Sequence, residues 1–225
     1  LSPQFKIIQG ILRRAKISTY SVEGLEADDI IGTIAEKAKE TGHLVYILTG
    51  DRDMLQLVNP KTSILAPLKG ISEMILFDEA KVIEKYGINA SQFIELKALM
   101  GDSSDNYPGV SGIGPKTASN LINEYDSVEN IYKNIDKIKA KNPKLAEKLE
   151  AGKDNAKLAH QLATILTDAP FKYDFLDCDM KKLDVVSFKE ALESYDFKTL
   201  PKRLDDVFSK KGEVEKIDKT QMKLL

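Results

Sequence analysis

The sequence is poor in the residues that build covalent or soft-metal frameworks. Of its 225 residues one is cysteine, Cys178, and two are histidine, His43 and His160. A single cysteine cannot form an intramolecular disulfide, and this usage fits a reducing, cytoplasmic setting. Three Cys and His residues also fall short of a four-ligand zinc site. No apolar run approaches the roughly 20 residues that span a bilayer, and no signal-peptide pattern opens the sequence, so no membrane partner is expected. An excess of one charge is missing too: 33 Lys+Arg stand against 35 Asp+Glu, a net charge of −2. That balance argues against a generally basic nucleic-acid coat. What is present is a hydrophobic fraction of 42%, enough to bury a sizeable core.

Hydrophobic spacing predicts a helix over 3–15, a short strand at Ile17–Val22, a helix over 26–40 ended by Gly42, and a continuous apolar strand at 44–48, buried on both faces. Helix, strand, helix, strand in this order predicts an α/β unit with a parallel sheet. An antiparallel excursion follows, Thr62–Leu65 against Met74–Phe77, and then helices at 78–86 and 90–100. Beyond a Gly/Pro/Ser/Asp-rich segment at 101–115 the chain reads as helical, at 115–125, 127–134, 143–151, 154–166, 186–194 and 198–207. Basic character is local, with six lysines in 133–148. The expected organisation is a metal-binding α/β part over 1–105, a helical part over 106–208 and a charged tail or linker over 209–225.

Acidic residues gather at element ends. Glu26, Asp28 and Asp29 open a helix, Asp51 and Asp53 follow a strand, and Asp102 and Asp105 lie in GDSSDN. Singly, each group has an ordinary explanation as a helix cap, a dipole partner or a turn former. Together they point elsewhere, because the crevice of an open parallel sheet lies beyond the carboxyl ends of its strands. Converging carboxylates repel one another unless cations neutralise them. Hard oxygen ligands favour Mg²⁺ or Mn²⁺, and two such ions support in-line attack on a phosphodiester. GDRDMLQLV lacks the glycine and the final glutamate of a calcium-binding EF-hand loop. No P-loop, GxGxxG or GxSxG is present.

Residues 109–118 read GVSGIGPKTA. Gly109, Gly112 and Gly114 allow close approach of a ligand, and Pro115 stands where it would open a helix. Uncapped N–H groups there form an anion site, to which Lys116 adds a cation and Thr117 a hydroxyl. The pattern resembles the helix–hairpin–helix motif of DNA repair and replication proteins. Such contacts grip phosphates without reading bases.

The order EADD at 26–29, TGDRD at 49–53, GDSSDNYPGVSGIGPKTA at 101–118 and ATILTD at 163–168 resembles the 5′-nuclease domain of bacterial DNA polymerase I and the wider family of flap endonucleases and bacteriophage 5′-exonucleases. The resemblance implies a PIN-like, resolvase-like α/β core followed by a helical helix–hairpin–helix subdomain. It implies two divalent ions, one held mainly by Glu26, Asp28 and Asp29, the other mainly by Asp51, Asp53, Asp102 and Asp105. It further implies a K⁺ on backbone carbonyls near Gly109, Val110 and Ile113. The implied activity is 5′→3′ exonuclease and flap cleavage in a bacterial, nucleoid-associated monomer. Its partners would be duplex DNA with a 5′ end or flap and RNA-primed DNA, with a polymerase domain linked in the parent protein. Arg52, Gly50 and Pro115 depart from commoner family residues, and none of the three is an implied metal ligand. The family's N-terminal third, with a further metal-binding aspartate and a basic helical arch, is expected before Leu1. Without it, the alternative is a non-catalytic module that binds DNA structure.

Overall fold

The computed structural model describes residues 2–70 and 73–209; the predicted tail beyond Ser209 lies outside them. Contacts divide the chain into two compact units, one formed by residues 1–24 with 170–225 and the other by 25–169.

The first unit begins with α1 (Ser2–Arg14), as predicted. The predicted strand at Ile17–Val22 does not form. Among the described residues this hydroxyl-rich segment has no strand beside it, and its polar groups bind elsewhere: Ser18 Oγ donates to the Asp177 carbonyl at 2.6 Å. Tyr20 joins a chain of rings with Phe171, Tyr173 and Phe175, with centroids 5.2–6.4 Å apart.

The second unit starts at α2 (Ala27–Glu40) and passes into β1 (Val45–Leu48). A 3-10 turn at Asp53–Leu57 carries the chain to β2 (Thr62–Lys69), which pairs in parallel with β1, Val45 opposite Thr62 and Leu48 opposite Leu65. The third strand, β3 (Glu73–Phe77), runs antiparallel to β2, so the sheet is mixed, in the order β1-β2-β3. Only one face of β1 is covered. Ile47 is buried, while Tyr46 and Leu48 are 57% and 71% exposed, so the expectation of a doubly buried strand fails here.

After α3 (Glu79–Tyr86) and a 3-10 turn at Ala90–Gln92, α4 (Phe93–Met100) runs through the interior. A two-residue ladder of β4 (Gly101–Asp102) and β5 (Tyr107–Pro108) leads to α5 (Pro115–Tyr125), α6 (Val128–Lys133), α7 (Ile135–Lys141), α8 (Pro143–Ala151) and α9 (Lys153–Ala163). The lysine-rich α7 was not predicted, because Ile138 is its one fully buried residue and its periodicity is weak. One hydrophobic core runs from Ala35 and Ile47 through Leu99 and Ile122 to Leu149 and Ile165, joining sheet and helices within this unit. In the first unit, α10 (Val185–Ser194) buries Ala191 and Leu192 against Ile11 of α1, and α11 (Leu200–Ser209) follows.

The predicted helix over 154–166 stops at Ala163 because the next amides are drawn away. Ile165 N–H donates to Gln56 Oε1 at 3.1 Å, Leu166 N–H to Asp29 Oδ1 at 2.9 Å and Ala169 N–H to Thr33 Oγ1 at 3.0 Å. The extended segment then lies so close to α2 that a Cβ on Gly32 would meet Ile165 Cγ2 at 2.7 Å and the Leu166 carbonyl oxygen at 2.9 Å.

Helix propensity favours alanine over glycine by about 0.5–1 kcal/mol. Gly10→Ala, where a Cβ meets nothing within 4 Å, should therefore raise the melting temperature. Gly32→Ala should lower it, by the equivalent of about 1–3 kcal/mol of overpacking. Thermal unfolding of the two variants checks the opposite signs.

Candidate metal centre and glycine hairpin

Three short stretches of the second unit carry the acidic residues. At the start of α2, Asp29 is spoken for on both oxygens: Oδ2 accepts from Glu26 N–H at 3.2 Å and Oδ1 from Leu166 N–H. Glu26 returns the bond, its side chain facing the Asp29 N–H in a capping box, and both Glu26 and Asp28 border the neighbouring cavity. After β1, Thr49 Oγ1 accepts from Asp51 N–H at 3.0 Å, and Asp51 Oδ1 accepts from Asp53 N–H at 2.9 Å. The second bond starts the 3-10 turn, whose Met54 and Leu55 are fully buried and fix Asp53 in place. Gln56, from the same turn, donates to the carbonyls of Asp53 and Ala163 at 2.9 and 2.8 Å.

Six of the seven predicted residues, Glu26, Asp28, Asp29, Asp51, Asp53 and Asp105, border one cavity of about 310 Å³, closed on another side by Tyr107 and residues 162–165. Asp102 borders an adjoining cleft of about 780 Å³, which also reaches Asp51, Asp105, Tyr86 and Phe93. Carboxylate oxygens of Asp53, Asp102 and Asp105 all lie within 4.8 Å of one another. The Glu26 group reaches the cavity from a helix start and not from a strand end, since 17–22 is no strand.

The electrostatics follow from this crowding. Burial, helped by the charges of Asp51, Glu26, Asp53 and Asp29, pushes Asp28 up to about 6. Burial also raises Asp53, outweighing the help it receives from Lys97. Asp102 goes the other way. Its burial is more than offset by hydrogen bonds from Lys97 and from the Ser104 amide, the latter at 2.6 Å, which hold it below the usual carboxylate range.

Lys97 was missed by sequence reasoning. It comes from α4 and is 9% exposed, and its ammonium is ion-paired with both Asp53 and Asp102. Burial would favour its neutral form, but bonds to the two carboxylates keep it charged well above the ordinary lysine value. A lone lysine in a mostly apolar helix, FIELKALM, five residues before Asp102, was the available signal.

The hairpin is tied to the acidic loop by backbone. Gly101, at φ 71°, pairs across the short ladder with Pro108, and Val110 N–H donates to the Leu99 carbonyl at 2.8 Å. A Cβ on Gly109 would lie 2.3 Å from Gly101 N, so only glycine fits. Val110 and Ile113 are buried anchors, and Ile113 N–H closes the turn on the Val110 carbonyl at 3.1 Å. Gly112, Gly114 and Lys116 are exposed, Thr117 is half-buried, and α5 starts at Pro115 with Gly114 as a cap lacking a side chain. Lys148 reaches over from α8 to donate to the Gly112 carbonyl at 3.2 Å. The two histidines stay out of the cluster: His43 bonds Thr41, and His160 bonds Glu95 at 3.2 Å.

Comparison with known proteins assigns both halves of this arrangement. Residues 1–87 match the description "5′-3′ exonuclease, N-terminal resolvase-like domain", and residues 88–186 match "5′-3′ exonuclease, C-terminal SAM fold". The chain is 41% identical over 206 residues to DNA polymerase I of Bacillus subtilis (strain 168), covering 92% of this chain and 23% of that protein. It thus spans about a quarter of the length of the curated relatives it matches. Two solved structures share the fold. T5 5′-exonuclease with divalent metal ions (zinc) bound has a TM-score of 0.54 and 23% identity, over 84% of this chain and 60% of that one. The catalytic core of Rad2 in complex with DNA substrate has a TM-score of 0.56 and 18% identity, over 93% and 70%. With its resolvase-like and SAM-fold parts matched end to end over residues 1–186, the chain belongs to the 5′-3′ exonuclease family.

Proposed function

We propose that this chain carries the metal-dependent nuclease site of a DNA polymerase I-type protein, hydrolysing phosphodiesters at the 5′ ends and 5′ flaps of DNA, RNA-primed strands included. The observation that carries the reading is the convergence of seven carboxylates beside an exposed glycine hairpin that is locked to the same loop by the Gly101–Gly109 contact.

The donor set fits hard divalent cations. Every group at the cluster offers oxygen, and no cysteine or histidine stands among them. Glu26, Asp28, Asp51, Asp53, Asp102 and Asp105 would hold two Mg²⁺ or Mn²⁺, while Asp29, bonded to two backbone amides, takes part by fixing the turn that presents Glu26 and Asp28. Bound there, the cations would supply a more acidic attacking water and stabilise charge on the scissile phosphate and its leaving oxygen. Lys97 supplies resident positive charge that favours the ionised forms of Asp53 and Asp102 and helps hold both in place.

The hairpin supports the DNA part of the reading. Exposed Gly112 and Gly114, Lys116 and Thr117, and the bare N-terminus of α5 present donors to a backbone phosphate. Carbonyls near Gly109, Val110 and Ile113 would hold a K⁺, which would add positive charge where the phosphate is gripped. None of these groups distinguishes one base from another, so the shape of the DNA would be recognised.

Asp51→Ala and Asp102→Ala should each abolish Mg²⁺-dependent cleavage of a 5′-flap duplex and leave DNA binding measurable; full activity in either variant would overturn the metal assignment. DNA binding without cleavage in the unsubstituted protein would favour the non-catalytic alternative. Lys116→Ala should weaken binding of all sequences alike and reduce the slope of log K against log salt by about 1, as expected for one lost phosphate contact. Lys97→Met leaves buried like charges uncompensated, so its loss of stability, about 3–5 kcal/mol for a broken buried pair, should be larger in EDTA than in saturating Mg²⁺. Paired thermal melts check that difference.

A further inference from the structure

Tyr107 lines the carboxylate cavity yet contributes nothing to the site as described so far. It is 7% exposed, and its ring packs on Ala159 and Ala163 of α9 and on Ile94. Phenylalanine would make the same contacts. The hydroxyl is a cost, because it is buried and has no hydrogen-bond partner among the described residues; a buried polar group left this way costs about 1–3 kcal/mol.

The same cavity holds the complementary deficiency. Asp53 Oδ1 is buried and ion-paired with the Lys97 ammonium, and no other donor among the described residues reaches it. Asp102, by contrast, is already bonded by Lys97 and by the Ser104 amide. Tyr107 faces Asp102 directly across the β4–β5 ladder, and cross-strand partners project to the same side of a ladder. The phenol is therefore delivered to the cluster by the loop that delivers Asp102.

We propose that the Tyr107 hydroxyl, which has no partner among the described residues, would donate to the Asp53 carboxylate and orient it when a divalent cation is bound, which makes Tyr107 a positioning residue of the metal centre. The inference rests on the proposed carboxylate metal site. Carboxylates that bind cations are held by outer hydrogen bonds, and loss of such a partner typically weakens metal affinity 10–100-fold. A phenol is protonated at neutral pH and so is able to donate.

Tyr107→Phe removes the O–H and keeps the ring packing. Calorimetric titration of Mn²⁺ into the unsubstituted chain and the variant should show affinity falling about tenfold or more, with the melting temperature of the metal-free variant unchanged or higher. The chain contains eight tyrosines and no tryptophan, so tyrosine emission reports the site directly: Mg²⁺ should change it in the unsubstituted chain, and that change should be lost in Tyr107→Phe. Tyr86→Phe is the control. Its hydroxyl is also buried without a partner, but it borders the adjoining cleft, and its removal should leave Mn²⁺ affinity unmoved. Mn²⁺ affinity within twofold of the unsubstituted chain and an intact tyrosine response in Tyr107→Phe would overturn the proposal. If the unsubstituted chain takes up no Mn²⁺, or if Asp53→Asn and Asp105→Asn leave uptake unchanged, the carboxylate metal site itself falls, and the role of Tyr107 with it.

Discussion

Crowding of like charge is the constraint around which the second unit is organised. Carboxylates from the start of α2, the end of β1 and the loop after α4 meet about one cavity, and without compensation each would raise the others' pKa values. The chain tolerates this by spending much of its polar side-chain chemistry on placement. Asp51 anchors the amide that opens the 3-10 turn, Asp29 binds two amides, and Lys97 is buried between two of the acids. The residual strain shows in Asp28, held near 6 by burial and by four neighbouring acids. A site assembled with this much unrelieved negative charge has free energy available for binding cations.

The extended segment after α9 is the second organising element. Gln56, Asp29 and Thr33 each bond its backbone, and Gly32 provides the space for it to lie against α2. These four residues come from two different acidic stretches, so the segment joins the α2 group to the Asp51–Asp53 group. ATILTD thus ties the two acidic groups together without containing a residue assigned to the chemistry.

Much of this was legible in the sequence, and the failures have physical causes. The acidic clusters and the glycine hairpin could be read because their residue types are tied to backbone requirements: Asp at turns and helix starts, glycine where only glycine fits. Helices with strong amphipathic spacing, such as α5 and α8, were found to the residue. Ile17–Val22 was misread because a stretch of β-branched and aromatic residues suits a strand only when another strand lies beside it. β1 was taken for a fully buried strand because an unbroken apolar run does not say which of its faces is covered. Lys97 and Gln56 stayed hidden because each acts on residues distant in sequence or across a fold boundary, which local periodicity does not report. The helical end at Ala163 was overrun for the same reason: long-range acceptors took amides that helix propensity assigned to the next turn.

Between Gly101 and Gly109 the chain touches itself with no room for even a methyl group. One side of that contact leads to Asp102 and Asp105, the other to the hairpin turn at Val110–Ile113. Rigid backbone at this point makes the spacing between the two a built-in ruler. On the proposed reading, a duplex gripped at the hairpin is cut at an offset measured from its held phosphate, so the position of the cut is written in the main chain and is insensitive to the sequence of the DNA.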